Sequence, residues 1–341
     1  MFFLMSCVTL LLSWQRDQDR GIVDLTSFWI RRVFRIVPMY YAAGLLYFVM
    51  MPPEGGFDWR QALASAIFVN AWHPELLPTV PHAWSVVPGG WSLGVEVTFY
   101  MLFPFFAALV GTWRRAVLMT IAGFVVAYVA TVVAEPMLVA TYGEIAAEMF
   151  LFYWFPHQFP VFALGAVLYH ALLATWRAPY GRVASFLRRY GTWVLLGCAI
   201  ACGVVANLPL PGRMSPVTPL SLPRPFLAAA IFMVFALALG NAPRSLWNNA
   251  WIRSLGRVSF SAYLIHFAVL HVLTGQFGSV FDVRATGYQA IFVFAALYAC
   301  AVPITHGLAL CTFRAIEHPM MNAGRHLLQA RRSHTLVGSA A

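Results

Sequence analysis

Long apolar runs dominate the chain and limit what it can fold into. Nine of them are candidates for membrane spans, and they cover residues 2–14, 34–51, 91–111, 115–134, 157–174, 191–207, 224–240, 258–275 and 288–312. Only 10% of the residues are charged and 61% are hydrophobic, whereas about a quarter of the residues of a soluble domain are charged. The sequence therefore predicts an all-α, polytopic transmembrane helix bundle whose surroundings are the lipid bilayer.

Two apolar runs are short for this purpose. A helix needs about 20 residues to cross a bilayer, and the run 2–14 has the character of the second half of such a helix. The run 61–71 is also too short to span and is expected to be re-entrant or interfacial. Nothing in the composition marks a second folded domain, so residues 1–325 are predicted to form one integral-membrane domain. The polar tail 326–341 is predicted to be disordered and cytoplasmic.

The charged residues set an orientation. The net charge is +10, which in a soluble protein would suggest nucleic acid, but here the basic residues stand in short loops between apolar runs. All 22 of them are arginine, and an alternating assignment of the loops puts 18 on one side of the membrane and four on the other. Because cytoplasmic loops are rich in arginine, we expect a multi-pass protein of the bacterial inner (plasma) membrane with a cytoplasmic C-terminus. No nucleic-acid partner is predicted.

The cysteines give no sign of a metal site. All five lie within apolar runs, and their spacing matches neither a C-x-x-C pair nor a zinc motif. No metal is predicted.

The stretch GGWSLGVEVTFYMLFP, residues 89–104, carries one carboxylate in an otherwise apolar run. On a helix, Ser92, Glu96, Phe99 and Tyr100 share one face. A charged side chain within the membrane is costly and marks a functional site by default. Ser92, Glu96 and Tyr100 are therefore candidate catalytic residues. The structural alternative is a packing carboxylate that a neighbouring arginine satisfies.

A second stretch, WIRRVFRIVPMYY (residues 29–41), places Arg31, Arg32 and Arg35 at the mouth of a span. Guanidinium groups on one helix face can bind phosphates bidentately, and coenzyme A carries several phosphates. Ordinary topology-determining charge is the alternative reading of the same arginines.

A third stretch, GRVSFSAYLIH (residues 256–266), ends on a histidine within an apolar run. Ser259, Tyr263 and His266 share a helix face. Imidazole can serve as a general base near neutral pH, so His266 is a candidate catalytic residue. A hydrogen-bonded packing histidine is the alternative.

These stretches together resemble a known family. WSLGVEVTFY resembles the W-S-L-x-x-E-x-x-F-Y signature of bacterial membrane acyltransferase family 3, and RRVFRIVP resembles its R-x-x-R motif. The resemblance implies a ten-span fold and the transfer of an acyl group, most often acetyl, from acyl-CoA (acetyl-CoA) to hydroxyls of cell-envelope polysaccharides or glycolipids. It also implies that Arg32 and Arg35, with Arg31 beside them, handle the acyl-CoA donor.

The start of the chain departs from the family pattern. The family opens with a helix that carries a histidine proposed as the catalytic base, and a second helix follows with an F-F-x-x-S-G pattern. This chain begins at Phe2-Phe3-Leu4-Met5-Ser6-Cys7, which resembles the second pattern with Cys7 in place of glycine. The resemblance therefore predicts about nine spans here, with the first helix absent through a misplaced start or a shortened chain.

Two other functions remain open from the sequence. An inactive or regulatory truncated member would fit the missing helix. A transporter of a lipid-linked sugar would fit a carboxylate within the membrane, although paired broken helices or inverted repeats, the usual signs of a transporter, are not evident in the sequence.

Overall fold

A computed structural model describes residues 2–53, 56–77, 85–213, 223–242, 247–278, 280–281 and 284–338, with side chains as far as Arg331. This part of the chain contains helices and loops and no strand, which confirms the predicted all-α class. Its α-helices are α1 (Phe2–Asp19), α2 (Leu25–Met50), α3 (Trp59–Ala66), α4 (Trp91–Leu109), α5 (Trp113–Tyr142), α6 (Glu144–Tyr153), α7 (Phe155–Arg177), α8 (Arg182–Asn207), α9 (Arg224–Asn241), α10 (Ala250–Arg257), α11 (Ser259–Gln276), α12 (Gly287–Thr312) and α13 (His318–Gly338).

Several of these helices are suited to a bilayer. Seven helical stretches of the described residues are long and apolar enough to cross a membrane, and an eighth results if α10 and α11, which meet at 85°, form one broken span. The polytopic membrane architecture is thereby confirmed. The count differs from the predicted nine because α1 carries Arg16, Asp17 and Asp19 in its last two turns, and these charges interrupt its apolar run.

Two segments refine the predicted boundaries. α3 has only eight residues, in agreement with the prediction that the run 61–71 is too short to span. At the other end, α12 passes through a π-helical turn, Phe313–Glu317, into α13, which continues to Gly338. Residues 326–338 are thus helical where the composition favoured a disordered tail, since leucine, glutamine, alanine and arginine are good helix formers.

Tertiary contacts group the chain into two compact units. The first unit consists of Met1–Ile22, Asp58–Ala83 and Gly90–Asn249, and the second of Val23–Phe57, Trp84–Gly89 and Ala250–Ala341. Glu96 belongs to the first unit, whereas the arginines of α2 and His266 belong to the second. The prediction of one catalytic domain over residues 1–325 stays a prediction.

α7 is the central helix of the first unit. Buried residues lie all round its circumference, and α1, α4, α5, α6 and α9 all contact it. α5, by contrast, buries a single stripe of small residues, Ala116, Thr120, Gly123, Ala127 and Thr131. Small residues let membrane helices approach closely, and the aromatic edge of Phe159 on α7 fills the space beside Gly123.

The second unit is built from α2, α11, α12 and α13. The Tyr47 hydroxyl of α2 donates to the Leu264 carbonyl at 2.6 Å and accepts from the Ala268 amide at 3.1 Å. These two backbone groups are four residues apart on α11 and would pair directly in a regular helix. The Tyr47 hydroxyl therefore bridges two backbone groups of the neighbouring helix, and this fixes α2 against α11.

Candidate active site

Glu96 lies in the interior of the first unit, on the first half of α4. Its side chain is 5% exposed, and its Oε1 atom accepts hydrogen bonds from the Ser6 hydroxyl and the Tyr100 hydroxyl, both at 2.5 Å. We refer to Ser6, Glu96 and Tyr100 as the Glu96 cluster.

The helix face predicted from the sequence is present. Ser92, Glu96, Phe99 and Tyr100 are all buried on α4. Tyr100 reaches Glu96 from one turn further along the same helix, and Ser92 lies one turn before it with 4% exposure. The α4 segment therefore brings a carboxylate and a phenol together by local geometry alone.

Ser6 is the member of the cluster that the sequence did not single out as a site residue. It comes from α1, 90 residues away in the chain. α1 is seated on α7 at Gly165, where an added Cβ would stand 2.6 Å from the Leu4 carbonyl oxygen and 2.7 Å from Cys7 Cβ. The Phe3 ring also packs against Phe162, with 4.8 Å between the ring centroids. This close approach of two helices sets the position of the Ser6 hydroxyl.

Gly94 of the same motif has a packing role. An added Cβ at this position would stand 2.4 Å from Asn70 Oδ1 and 3.1 Å from the Phe68 carbonyl oxygen. Phe68 itself has a φ of 63°, a left-handed backbone conformation that residues other than glycine rarely adopt. Trp72 then donates to the Thr98 hydroxyl at 2.8 Å. The segment after α3 thus lies directly on α4, and only a residue without a side chain leaves room for it.

The arginine cluster, Arg31, Arg32 and Arg35, lies in the first turns of α2. The start of this helix is fixed by Asp24, whose carboxylate accepts from the Thr26 and Ser27 amides and from the Ser27 hydroxyl. The hydrogen bond from the Ser27 hydroxyl, more than any other contact, holds the pKa of Asp24 below its ordinary value. The Asp24 cap therefore fixes where α2 begins, and so fixes the positions of the three arginines along the helix.

Arg32 lies against an aromatic ring, and Arg35 lies near a buried carboxylate. The Arg32 guanidinium lies over the Phe28 ring, 5.5 Å from its centroid, and stacking of this kind is typical of arginine. Arg35 interacts electrostatically with Glu317 in the π-helical turn, and Glu317 accepts a hydrogen bond from the Ser261 hydroxyl at 2.7 Å. Glu317 is 2% exposed, so this carboxylate offsets part of the positive charge inside the second unit.

His266 lies on α11, partly exposed. Its Nδ1 atom is 2.6 Å from the Tyr263 carbonyl oxygen of the preceding turn. A carbonyl oxygen only accepts, so Nδ1 carries a hydrogen in this contact, and in the neutral imidazole the lone pair is then on Nε2. The Tyr263 hydroxyl donates to the Gly89 carbonyl at 2.9 Å. With Nδ1 engaged in this way, Nε2 is the nitrogen of the neutral ring that can take a proton.

An apolar cavity of about 560 Å³ lies in the second unit between α2, α11 and α12. Apart from Thr312, its lining side chains are apolar, and Met39, Ile265 and Leu308 are representative. A reaction site needs a few polar groups that orient the substrate. This cavity lacks them and does not itself supply the chemistry.

Comparison with known proteins decides the family. The family model described as an acyltransferase domain, that of membrane acyltransferase family 3, matches residues 1–308. The chain belongs to this family. The match confirms the resemblance that the motifs around Glu96, Arg35 and His266 indicated, and the protein is an acyltransferase.

Two curated proteins illustrate the similarity. The chain is 28% identical over 346 residues to the acyltransferase MdmB of Streptomyces mycarofaciens, an alignment that covers 94% of this chain and 79% of that protein. It is 29% identical over 165 residues to the exopolysaccharide production protein ExoZ of Rhizobium meliloti (strain 1021), which covers 44% of this chain and 50% of that one. No solved structure matches the chain.

The predicted site residues of this acyltransferase fall into two sets. Glu96 and Tyr100 are in direct contact, Ser92 shares their helix face, and the Ser6 hydroxyl also donates to Glu96. The arginine cluster and His266 form the other set, in the second unit. Over the residues that the structure describes, no group of three or more histidine, cysteine, aspartate or glutamate side chains is arranged to hold a metal ion.

Proposed function

We propose that this acyltransferase moves an acyl group, acetyl in the first instance, from acyl-CoA to a hydroxyl of a cell-envelope polysaccharide or glycolipid. The observation that carries the proposal is the buried Glu96 carboxylate with two hydroxyl donors, within a family signature that spans the same residues. One relative is an exopolysaccharide production protein, and its name supports a carbohydrate acceptor. The inner membrane of a bacterium is the location we propose.

The reaction is an ester-forming transfer. The acceptor oxygen attacks the thioester carbonyl carbon, a base takes the hydroxyl proton, and the carbon–sulfur bond breaks as the ester forms. The departing sulfur takes up a proton and leaves as the coenzyme A thiol. The step needs a positioned base and a fixed charge that favours proton removal.

Glu96 is proposed to supply that fixed negative charge. A fixed negative charge favours the positive charge that develops on a base during proton transfer, and the carboxylate need not be protonated itself. Because Ser6 and Tyr100 both donate to Oε1, the carboxylate is held in one orientation before substrate arrives. Preorganised charge of this kind is a large part of enzymatic rate enhancement. Ser92, on the same buried face, is proposed to contribute a further hydroxyl.

His266 is proposed as the base among the described residues of this chain. Its Nδ1–H is engaged by the Tyr263 carbonyl, which leaves Nε2 to take a proton. Arg32 and Arg35, with Arg31, are proposed to bind the phosphates of acyl-CoA, since planar guanidinium groups recognise phosphate oxygens bidentately.

The experiment is label transfer in membranes that contain the protein. Radiolabelled acetyl-CoA is added, and label is counted in the purified envelope polysaccharide and in the lipid extract. Wild-type membranes should transfer label, whereas Glu96→Gln and His266→Ala should lose about 100-fold or more of the rate, as expected for a group that assists proton transfer. The matched controls Glu144→Gln and His271→Ala change exposed residues of the same types and should retain the wild-type rate.

The same assay separates the alternatives. A transporter would release no labelled ester from acetyl-CoA, and an inactive member would match empty membranes at every acceptor concentration. Full activity in Glu96→Gln would remove Glu96 from the mechanism, and full activity in His266→Ala would do the same for that histidine.

A further inference from the structure

A small pocket in the first unit lies between α6 and the segment that follows α8. Gly143, with a φ of 82°, ends α5 and begins α6 directly, a backbone conformation that suits glycine. The pocket encloses about 180 Å³, roughly the space of six waters. It is lined by Glu148, Met149, Phe152, Tyr153, Gly212 and Arg213. We refer to it as the Arg213 pocket.

The charged groups at this pocket do not favour an anion. Arg213 donates to Glu135 at 2.9 Å through Nη2, and its Nε lies 3.9 Å from Glu148. One positive and two negative side chains therefore sum to a net charge of −1. The positive charge of Arg213 is already balanced by the two glutamates, so it would attract a phosphate or carboxylate ligand only weakly. The arrangement instead offers both donors and acceptors to a neutral ligand.

Exposure distinguishes the two carboxylates. The Glu135 side chain, which accepts the 2.9 Å hydrogen bond from Arg213, is 18% exposed, whereas the Glu148 side chain is 63% exposed. Glu148 can therefore turn to accept hydrogen bonds from a ligand while Arg213, only 12% exposed, stays in place. A guanidinium edge beside a carboxylate suits a molecule with several hydroxyl groups, because each hydroxyl both donates and accepts.

Aromatic rings form the remaining wall. Tyr153 lies against Trp91 with 4.5 Å between ring centroids, and Phe152 lies 6.4 Å from the same indole. Such rings present a flat apolar face and, for tyrosine, a polar tip. A sugar ring has the complementary shape, with C–H groups on its face and hydroxyls at its edge.

The pocket is coupled in space to the Glu96 cluster. Trp91 is the first residue of α4 and Glu96 follows five residues later on the same helix, a rise of about 7–8 Å along the axis. The Phe3 ring of α1, three residues before Ser6, also contacts Trp91, with 6.0 Å between centroids. The aromatic wall on α6 thus contacts the first residue of the helix that carries Glu96.

We propose that the Arg213 pocket binds one neutral, hydroxyl-bearing sugar ring of the acceptor and presents it to the Glu96 cluster. This inference rests on the proposed function, because it names the part of the acceptor that the enzyme recognises. The ring comes from a polysaccharide or from a glycolipid headgroup, which share the same chemistry here.

The test is a steady-state comparison in the label-transfer assay. The acceptor is either delipidated envelope polysaccharide or the envelope lipid extract, and the KM for acceptor and the KM for acetyl-CoA are measured separately. Glu148→Gln and Arg213→Lys should each raise the acceptor KM about fivefold or more, since hydrogen bonds to charged groups are stronger than neutral ones. The KM for acetyl-CoA should stay within twofold of the wild type. The fraction in which the shift appears identifies the source of the ring.

Arg188→Lys is the matched control. Arg188 is an exposed residue of α8 that donates to the Ser185 hydroxyl at 3.3 Å and does not line the pocket, so its acceptor KM should not change. If Arg213→Lys fails to fold, Glu148→Gln decides, because its side chain is largely exposed. An acceptor KM raised by less than fivefold, or an equal rise in both KM values, would overturn the proposal that this pocket binds the acceptor. The proposed function would still stand in that case, provided that wild-type membranes transfer label. If wild-type membranes transfer nothing, the proposed function itself fails.

Discussion

Ser6 and Tyr100 donate to the same oxygen of Glu96 but reach it by different routes. Tyr100 is one helical turn away on α4, whereas Ser6 depends on how α1 packs. If the two hydroxyls hold the carboxylate as a unit, their effects on the rate must be coupled, because residues that share a partner are not additive.

Removing these hydroxyls one at a time and together tests the coupling. Tyr100→Phe and Ser6→Ala should each slow acetyl transfer about tenfold or more, since each removes a charge-assisted hydrogen bond. The double variant should be slower than either single one but faster than the product of their effects predicts. The measurement is the rate of label transfer at saturating acetyl-CoA, normalised to the amount of folded protein in the membrane.

Thr131→Val is the control for loss of a buried hydroxyl. Thr131 bonds only the Ala127 carbonyl of its own helix among the described contacts, at 2.8 Å, and should transfer at the wild-type rate. Single variants with unchanged rates would show that the two hydroxyls serve packing and not the reaction.

The residue scale also shows what the sequence can and cannot predict. The shared face of Ser92, Glu96 and Tyr100 follows from helical spacing, which needs no knowledge of the fold. The contact of Ser6 with Glu96 requires the packing of α1 on α7, which no local pattern encodes. Its one signal was a hydroxyl in the middle of an otherwise apolar run, in a pattern that resembled the family.

At the scale of helices, the close approach of α1 and α7 positions the cluster. Gly165→Ala should separate the two helices, because the added methyl would stand 2.6 Å from the Leu4 carbonyl oxygen. Overpacking of this kind costs about 1–3 kcal/mol. We expect a lower unfolding temperature in detergent and slower transfer, since Ser6 lies within one turn of the displaced segment.

A second glycine offers the comparison. Gly197 is on α8 with nothing within 4 Å of an added Cβ, and Gly→Ala in a helix interior stabilises by about 0.5–1 kcal/mol. Gly197→Ala should therefore keep its unfolding temperature or raise it, with the rate unchanged. Equal behaviour of the two variants would contradict the role given to the α1–α7 contact.

The long apolar helices were predictable from apolar runs, but bends were not, nor were α6, α10 and α13, which lie outside the predicted runs. The run 258–275 coincides within one residue with α11 (Ser259–Gln276), because an apolar run of this length is typical of a membrane-spanning helix. The 85° turn into α10 has no mark in the composition, since it depends on what each helix packs against. Likewise, α13 continues past the position where polar residues suggested a tail, held at Arg331 by a 3.0 Å contact with Asp24.

At the scale of the whole molecule, the predicted orientation of the arginines and the proposed acyl-CoA donor concern the same side of the membrane. The predicted orientation places 18 of the 22 arginines, including the arginine cluster, on the cytoplasmic side. Acyl-CoA is made in the cytoplasm and carries several phosphate charges, so it does not cross a sealed bilayer unaided. The orientation and the proposed donor are therefore tested by the same experiment.

Sealed vesicles of opposite orientation should differ in activity with acetyl-CoA added outside. Inverted vesicles, which expose the cytoplasmic face, should transfer label, and right-side-out vesicles should transfer at least about tenfold less because the donor cannot reach the arginines. A detergent that opens both kinds should remove the difference, which controls for unequal amounts of enzyme. If right-side-out vesicles are the more active kind before opening, the predicted orientation is wrong. Equal activity of intact vesicles would instead place the donor site where both faces reach it, and the arginine cluster would then be topology-determining charge alone.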